Sequence, residues 1–177
     1  MATEKHRDRL IPAQGLISAF LGILPCSSLS PFTNYQPMKI EIPEKKKLVH
    51  EMHIAIRWGD MDAMGHLNNG TYFRYMETIR IDWMHAIGCR PDPKGDGPVI
   101  VNAFCNFYKQ LEYPGDVLIR MYVSDPGRTT FESWATMERA EQPGVICAAG
   151  GATTIWVDFP AQKAKNLPDW IRQLIQD

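Results

Sequence analysis

Two periodicities meet in Leu48–Ile87, LVHEMHIAIRWGDMDAMGHLNNGTYFRYMETIRIDWMHAI. The opening residues alternate. Leu48, Met52, Ile54, Ile56 and Trp58 share one face and Val49, Glu51, His53, Ala55 and Arg57 the other, which predicts a half-buried strand. A loop of Gly, Asp and Asn runs from Gly59 to Gly70. Beyond it Tyr72, Met76, Ile79, Trp83 and Ile87 recur at steps of three and four, the apolar stripe of a long helix. Asn68 or Asn69 is placed to cap its start, and Gly88 to end it.

Downstream of the loop Arg90 to Gly97 the helical period gives way to strand-like runs: Val99–Leu111, Val117–Val123, Thr129–Glu138 and Val145–Asp158. Gly150-Gly151 suggests a bulge or a close backbone approach in the last of these. Asp169–Ile175 predicts a short terminal helix resting Trp170, Ile171 and Leu174 on the body. Short turns join antiparallel neighbours. One long helix and a five-stranded antiparallel sheet therefore predict a two-layer α+β domain. Its uncovered sheet surface and edges invite a second subunit.

Upstream, residues 1–37 differ in character. A charged start precedes the apolar run Gly15 to Leu24, and prolines fall at 12, 25, 31 and 37. A signal peptide is one reading, but acidic residues interrupt the basic start and Pro25 occupies the cleavage position. Residues 1–37 are read instead as a poorly ordered extension and 38–177 as the domain, with Met38 as its expected start. Lys45-Lys46-Lys47 is read as a solvated lead-in to the first strand.

The 177 residues suit one domain with an appendage, and 45% hydrophobic with 22% charged is a globular composition. A net charge of −1 gives no general attraction to nucleic acid or an anionic membrane surface. No apolar run approaches the ~20 residues that span a bilayer. The four cysteines are Cys26, Cys89, Cys105 and Cys147, with no C-x-x-C among them. This argues against a disulfide framework and for a reducing, cytoplasmic setting.

The candidate chemistry lies in the loop. Asp60, Asp62, His66, Asn68 and Asn69 fall among Gly59, Gly65 and Gly70. Glycines let the backbone turn tightly or approach a ligand. A helix start offers unpaired N–H groups suited to an oxyanion, and a nearby carboxylate can serve as base or nucleophile. A turn whose Asp and Asn side chains only satisfy local N–H groups explains the same residues, so both readings stand on spacing alone. Asp60 is read as bracing the loop. His50 and His53, three apart on a strand, face opposite sides, and no H-E-x-x-H is present, so no metal site is expected. Glu77 and Arg80 are spaced for a helical ion pair. Ser27, Ser28, Ser124 and Ser133 lack the G-x-S-x-G context of a serine hydrolase. Arg128, after Pro126-Gly127, is a candidate for a CoA phosphate or an exposed turn residue. No phosphate-cradling glycine motif implies a nucleotide cofactor.

Arg57 to Asn69, followed by Tyr72-Phe73-Arg74-Tyr75-Met76-Glu77, closely resembles the 4-hydroxybenzoyl-CoA thioesterase-like acyl-CoA thioesterases. The resemblance continues through Tyr113-Pro114-Gly115-Asp116, Gly127-Arg128-Thr129-Thr130 and Val157-Asp158. It implies the hotdog fold, in which a curved antiparallel sheet wraps a long central helix. It places the catalytic carboxylate at Asp62 and the carbonyl-polarising backbone N–H at Asn69 or Gly70, with Asp60, Gly65 and Asn68 supporting the loop and helix start. His66, Asn68 and Asn69 replace the apolar and aromatic residues of the founding enzymes, which argues against 4-hydroxybenzoyl-CoA itself. His-x-Asn-Asn is also similar to acyl-carrier-protein thioesterases, which gives His66 a candidate catalytic role.

The resemblance thus implies hydrolysis of an acyl-CoA thioester by a homodimer or homotetramer, with no cofactor. Three alternatives are an acyl-carrier-protein thioesterase, a hotdog hydratase or dehydratase, and a non-catalytic acyl-CoA-binding module. Asp62 and His66 are one residue short of the hydratase spacing, and a binding module has no need of Asp62.

Overall fold

The computed structural model describes residues 41–90 and 92–176. The extension over 1–37 and the start at Met38 lie outside the described residues. Strand β1 (Lys47–Ala55) leads through a 3₁₀ turn (Trp58–Asp60) into helix α1 (Asn69–Ala86). Strands β2 (Asp96–Phe107), β3 (Asp116–Ser124), β4 (Thr130–Arg139) and β5 (Ile146–Asp158) follow. The two-residue strand β6 (Lys163–Ala164) and helix α2 (Asp169–Gln176) end the chain.

The sheet runs β1-β3-β4-β5-β2, antiparallel throughout, with β6 added to β5. The helix stripe packs on it: Tyr72, Met76, Ile79 and Trp83 are buried with Val117, Ile119, Met121, Phe131 and Met137. Trp83 meets Phe131 edge-on at 6.2 Å. Each such side chain stabilises the fold by about 1.5–3 kcal/mol through burial. At ~1.5 Å per residue, α1 is ~27 Å long, shorter than β5 at ~3.3 Å per residue, so the sheet outruns the helix it covers. This is the expected α+β hotdog architecture.

Asn68 caps α1, its Oδ1 accepting from the Gly70 N–H at 2.9 Å. Gly88, at φ 78°, takes the left-handed turn that ends it. Gly150-Gly151 carries no bulge; it is a close approach. A Cβ at Gly150 would meet Met76 Sδ at 2.6 Å and the Phe104 carbonyl, and one at Gly151 would meet the Trp134 ring at 2.6 Å. Gly150→Ala is therefore expected to cost about 1–3 kcal/mol, measured as a lowered midpoint in denaturant at unchanged slope.

Several local expectations are corrected. A register slip between Leu48 and His50 turns Leu48 outward, 46% exposed, and lets Val49 pack against the core. The strand ends before Trp58, which sits in the 3₁₀ turn at 76% exposure. β2 begins and ends earlier than Val99–Leu111. Leu111 is fully buried and its carbonyl accepts from the Leu67 N–H at 2.8 Å, anchoring the loop ahead of α1. Glu77 and Arg80 make no ion pair within 4 Å; burial is the main influence on Arg80, and Glu77 acts on it only at range. On α2, Ile171 and Ile175 are buried while Trp170 stays exposed. No described helix is long and apolar enough to cross a membrane.

Candidate active site

The loop between β1 and α1 is cross-braced by its own polar groups. The Asp62 N–H donates to the His66 carbonyl at 2.7 Å, and the Gly65 N–H to the Asp62 carbonyl at 3.1 Å. Gly65 takes φ 78°, where an L side chain is strained. Met61 and Leu67 form an isolated bridge, and the Asn68 N–H reaches the Asp60 carbonyl at 2.9 Å. Asp60 joins the turn to the helix: its Oδ2 accepts from the Arg57 N–H at 3.0 Å and the Tyr75 hydroxyl at 3.1 Å.

The two oxygens of Asp62 have different fates. Oδ1 accepts from the N–H groups of Met64 at 2.8 Å and His66 at 3.1 Å. Oδ2 has no partner among the described residues. The His66 and Met64 N–H bonds stabilise the anion and hold the carboxyl below its ordinary pKa. The side chain is thus ionised and oriented, with one oxygen tethered and one presented.

Asp62, His66, Leu67, Asn69, Tyr72, Phe107, Tyr108, Lys109 and Gln110 line a cavity of 200 Å³. The helix start offers one donor there. The Gly70 N–H is taken by Asn68, whereas the Asn69 N–H has no partner among the described residues. Gln110 Nε2 donates to His66 Nδ1 at 3.4 Å, which leaves the proton of a neutral imidazole on Nε2. The Tyr72 ring packs edge-on against Phe107 at 4.9 Å. Burial raises the Tyr72 pKa above its ordinary value, so the hydroxyl stays protonated.

This arrangement pairs an ionised carboxylate with a free helix-start N–H at one cavity, the two elements an acyl-transfer site needs. The model of the thioesterase-like superfamily matches residues 56–175, the greater part of the chain. The chain belongs to the thioesterase-like superfamily. It is a thioester hydrolase. Among solved structures, this thioesterase-like chain is similar to PA2801 of Pseudomonas aeruginosa, itself proposed to be a thioesterase. The identity is 30%, the TM-score 0.69, and the match covers 72% of this chain and 98% of that one. A DHNA-CoA thioesterase from Staphylococcus aureus shares the fold at 20% identity and TM-score 0.62, covering 70% and 87% of the two chains. YsmA of Bacillus subtilis (strain 168), an uncharacterised protein, is 24% identical over 116 residues, 66% of this chain and 78% of its own.

Asp62, His66 and Asn69 are thus brought to one cavity. Asp60 faces the other flank of the loop. Arg128 is not brought to it by its own chain. β1 pairs Ala55 with Asp116 at the loop end and Lys47 with Val123 at the other, so the turn holding Arg128 lies ~26 Å away along the strands. There Arg128 Nη1 donates to Asn166 Oδ1 at 3.1 Å. A larger cavity, 630 Å³ beside Lys45, Lys46 and Lys47, is also at that far end, remote from this thioesterase site. Phe107 lies at the end of the apolar strand expected near the acyl group, whereas Tyr108, Lys109 and Gln110 were not identified from the sequence. Phe107 ends β2 and the others follow it, and the pairing of the 111 segment with the loop draws them to Asp62. No group of three or more His, Cys, Asp or Glu among the described residues is arranged to hold a metal.

Proposed function

We propose that the protein hydrolyses acyl-CoA thioesters at Asp62. The observation that carries this reading is the division of labour at the loop. Asp62 Oδ2 is free and ionised at the same cavity as the Asn69 N–H, which is free among the described residues, while the N–H groups of Met64, His66, Leu67, Asn68 and Gly70 are engaged. In the proposed reaction the Asn69 N–H holds the thioester carbonyl oxygen. The two backbone N–H bonds on Oδ1 keep Asp62 anionic and leave Oδ2 as the oxygen presented for direct attack. Oδ2 bonds to the carbonyl carbon, the C–S bond breaks, and the thiolate leaves and takes up a proton. Water then hydrolyses the mixed anhydride, releasing the free acid and restoring the carboxylate. Gly65 and Asn68 set the geometry, and His66 lies within reach of the leaving group.

The deciding experiment is thiol release from a panel of acyl-CoA substrates. Absence of release from every one overturns the reading. Mass spectrometry of rapidly quenched enzyme is expected to find the acyl adduct on the Asp62 peptide. Full turnover without an adduct assigns water as the nucleophile instead. The lining of Tyr72, Phe107 and Tyr108 supports an apolar or aromatic acyl group, and a preference for strongly charged acyl groups contradicts it. The cytoplasmic setting is retained as part of this proposal.

A homo-oligomer belongs to the same proposal. β2 is an edge strand with no charged side chain from Gly97 to Tyr108, and Val99, Ile100, Val101 and Phe107 are exposed. β1, the opposite edge, carries Lys47, Glu51 and two histidines, the usual protection of an unpaired edge. A second copy laid along β2 covers the apolar edge and closes the cavity beside Phe107 and Tyr108. Light scattering after size exclusion is expected to give at least a dimer, and Val101→Lys, at a 57% exposed position, to shift it toward monomer with lower kcat/KM. A wild-type monomer at micromolar concentration rules out this assembly.

A further inference from the structure

Between β1 and the first half of α1 lies a second groove, 450 Å³ in volume, lined by His53, Ile54, Ala55, Arg57, Asp60, Arg74, Tyr75 and Thr78. It occupies the flank of the 58–68 loop opposite to Asp62. Arg57 and Arg74 are exposed, and neither guanidinium has an ion-pair partner among the described residues. The neutral donors of the groove are already used. The Tyr75 hydroxyl donates to Asp60, and the Thr78 hydroxyl to the Arg74 carbonyl at 2.8 Å. Burial, and then the bond to Asp60, raise the Tyr75 pKa, so that phenol adds no negative charge. The groove therefore sets two unspent guanidinium groups against one carboxylate, which is itself bonded to Tyr75 and the Arg57 N–H.

We infer that this groove is the phosphate subsite of a coenzyme A substrate, with Arg57 and Arg74 as its paired cationic ligands. The inference rests on the acyl-CoA reading above. Guanidinium presents a planar fork of donors that matches phosphate oxygens, and two of them on neighbouring elements suit the several phosphates of one CoA. Asp60 holds Arg57 in place through its backbone N–H and Tyr75 through its hydroxyl, so the groove is built by the same loop that orients Asp62. The other basic cavity is less suited. Lys47 Nζ donates to the Leu174 carbonyl at 2.7 Å and Lys46 Nζ to the Pro43 carbonyl at 2.9 Å, and both lie at the far end of β1. The groove sits on the β1 side of α1, away from the β2 edge where a second copy is proposed, and so stays open in that assembly.

The test compares the full chain with its Arg57→Gln, Arg74→Gln double variant on an acyl-CoA and on the matching acyl-pantetheine, which lacks the phosphates. CoA binding is measured separately by calorimetry. The double variant is expected to lose roughly tenfold to a hundredfold in the ratio of acyl-CoA to acyl-pantetheine kcat/KM, through KM, with a similar loss of CoA affinity. Arg74→Gln alone, on the exposed helix surface, is expected to move both quantities in the same direction by less, and serves if the double variant is unstable. An unchanged ratio with unchanged CoA affinity overturns the subsite. So does an equal loss on both thioesters, which marks the arginines as holding the loop. So does a loss confined to an acyl-carrier-protein substrate, which marks the groove as a protein dock. If the wild type hydrolyses neither thioester but the variant still loses CoA binding, the subsite stands and the thioesterase reading of Asp62 fails.

Discussion

Asp62→Asn is expected to lower kcat by about 100-fold or more with little change in KM. The amide oxygen can still accept from Met64 and His66, so the loop keeps its shape. What disappears is the anion at the second position. A loss confined to kcat marks an interaction made in the transition state, whereas a rise in KM marks lost binding. Asp60→Asn and His66→Ala are expected to cost less. If Asp62→Asn retains most of its kcat while His66→Ala abolishes turnover, the chemistry passes to His66 and the acyl-carrier-protein-like mechanism describes the protein better.

The same residue sets an expectation for pH. Its pKa is lowered below the ordinary 3.8 because two backbone N–H groups bond the ionised form. Protonation of Asp62 therefore costs activity only as pH falls through that depressed value, and the anion is fully present above the ordinary one. Its contribution to stability has the same sign: present above the unfolded pKa and lost as pH falls through the folded one. Any fall in kcat/KM between pH 5 and 7 in the wild-type pH–rate profile is expected to come from a group other than Asp62.

Asn69→Pro is expected to lower kcat by about 100- to 1,000-fold, the size of effect seen when one oxyanion donor is removed. Asn69 is the first residue of α1, where proline is well tolerated because its N–H has no helical partner. The preceding Asn68 already has φ −58° and ψ 135°, the conformation that proline imposes on its predecessor. The substitution thus deletes one N–H while leaving the helix in place, and a melting temperature near wild type checks that it does. Asn69→Ala keeps the N–H and is expected to retain most of the activity. If Asn69→Pro is folded and fully active, the carbonyl is held elsewhere.

Much of this arrangement is legible in the chain because it is local. Alternation over Leu48 to Ile56 and the stripe from Tyr72 to Ile87 each report a face, and burial of that face is what the sheet and helix achieve. Legibility fails where one residue of slip matters. The irregularity at Leu48/His50 reverses a side chain without altering the pattern around it. Trp58 continues the alternation but leaves the strand, because the Arg57–Asp60 turn satisfies its own N–H groups before the sheet can. Gly150-Gly151 announces a close approach, but only the packed helix shows that Met76 is what comes near.

At the site the division is of the same kind. By itself the sequence determined that a carboxylate, an imidazole and a capped helix start lie within one short loop, since turn chemistry and capping act between residues a few positions apart. Only the tertiary structure decided which donor is free, because the sequence offers both Asn68 and Asn69 as the cap, and the folded loop makes Asn68 the cap and leaves the Asn69 N–H at the first helical position. It also decided that Phe107, Tyr108 and Gln110 line the cavity and that Arg128 does not, since strand register carries residues far apart in the chain to one end of the sheet or the other. The groove of Arg57 and Arg74 is likewise invisible in the chain. It forms where a strand end and a helix flank meet, and no local pattern records that two exposed cations will share it.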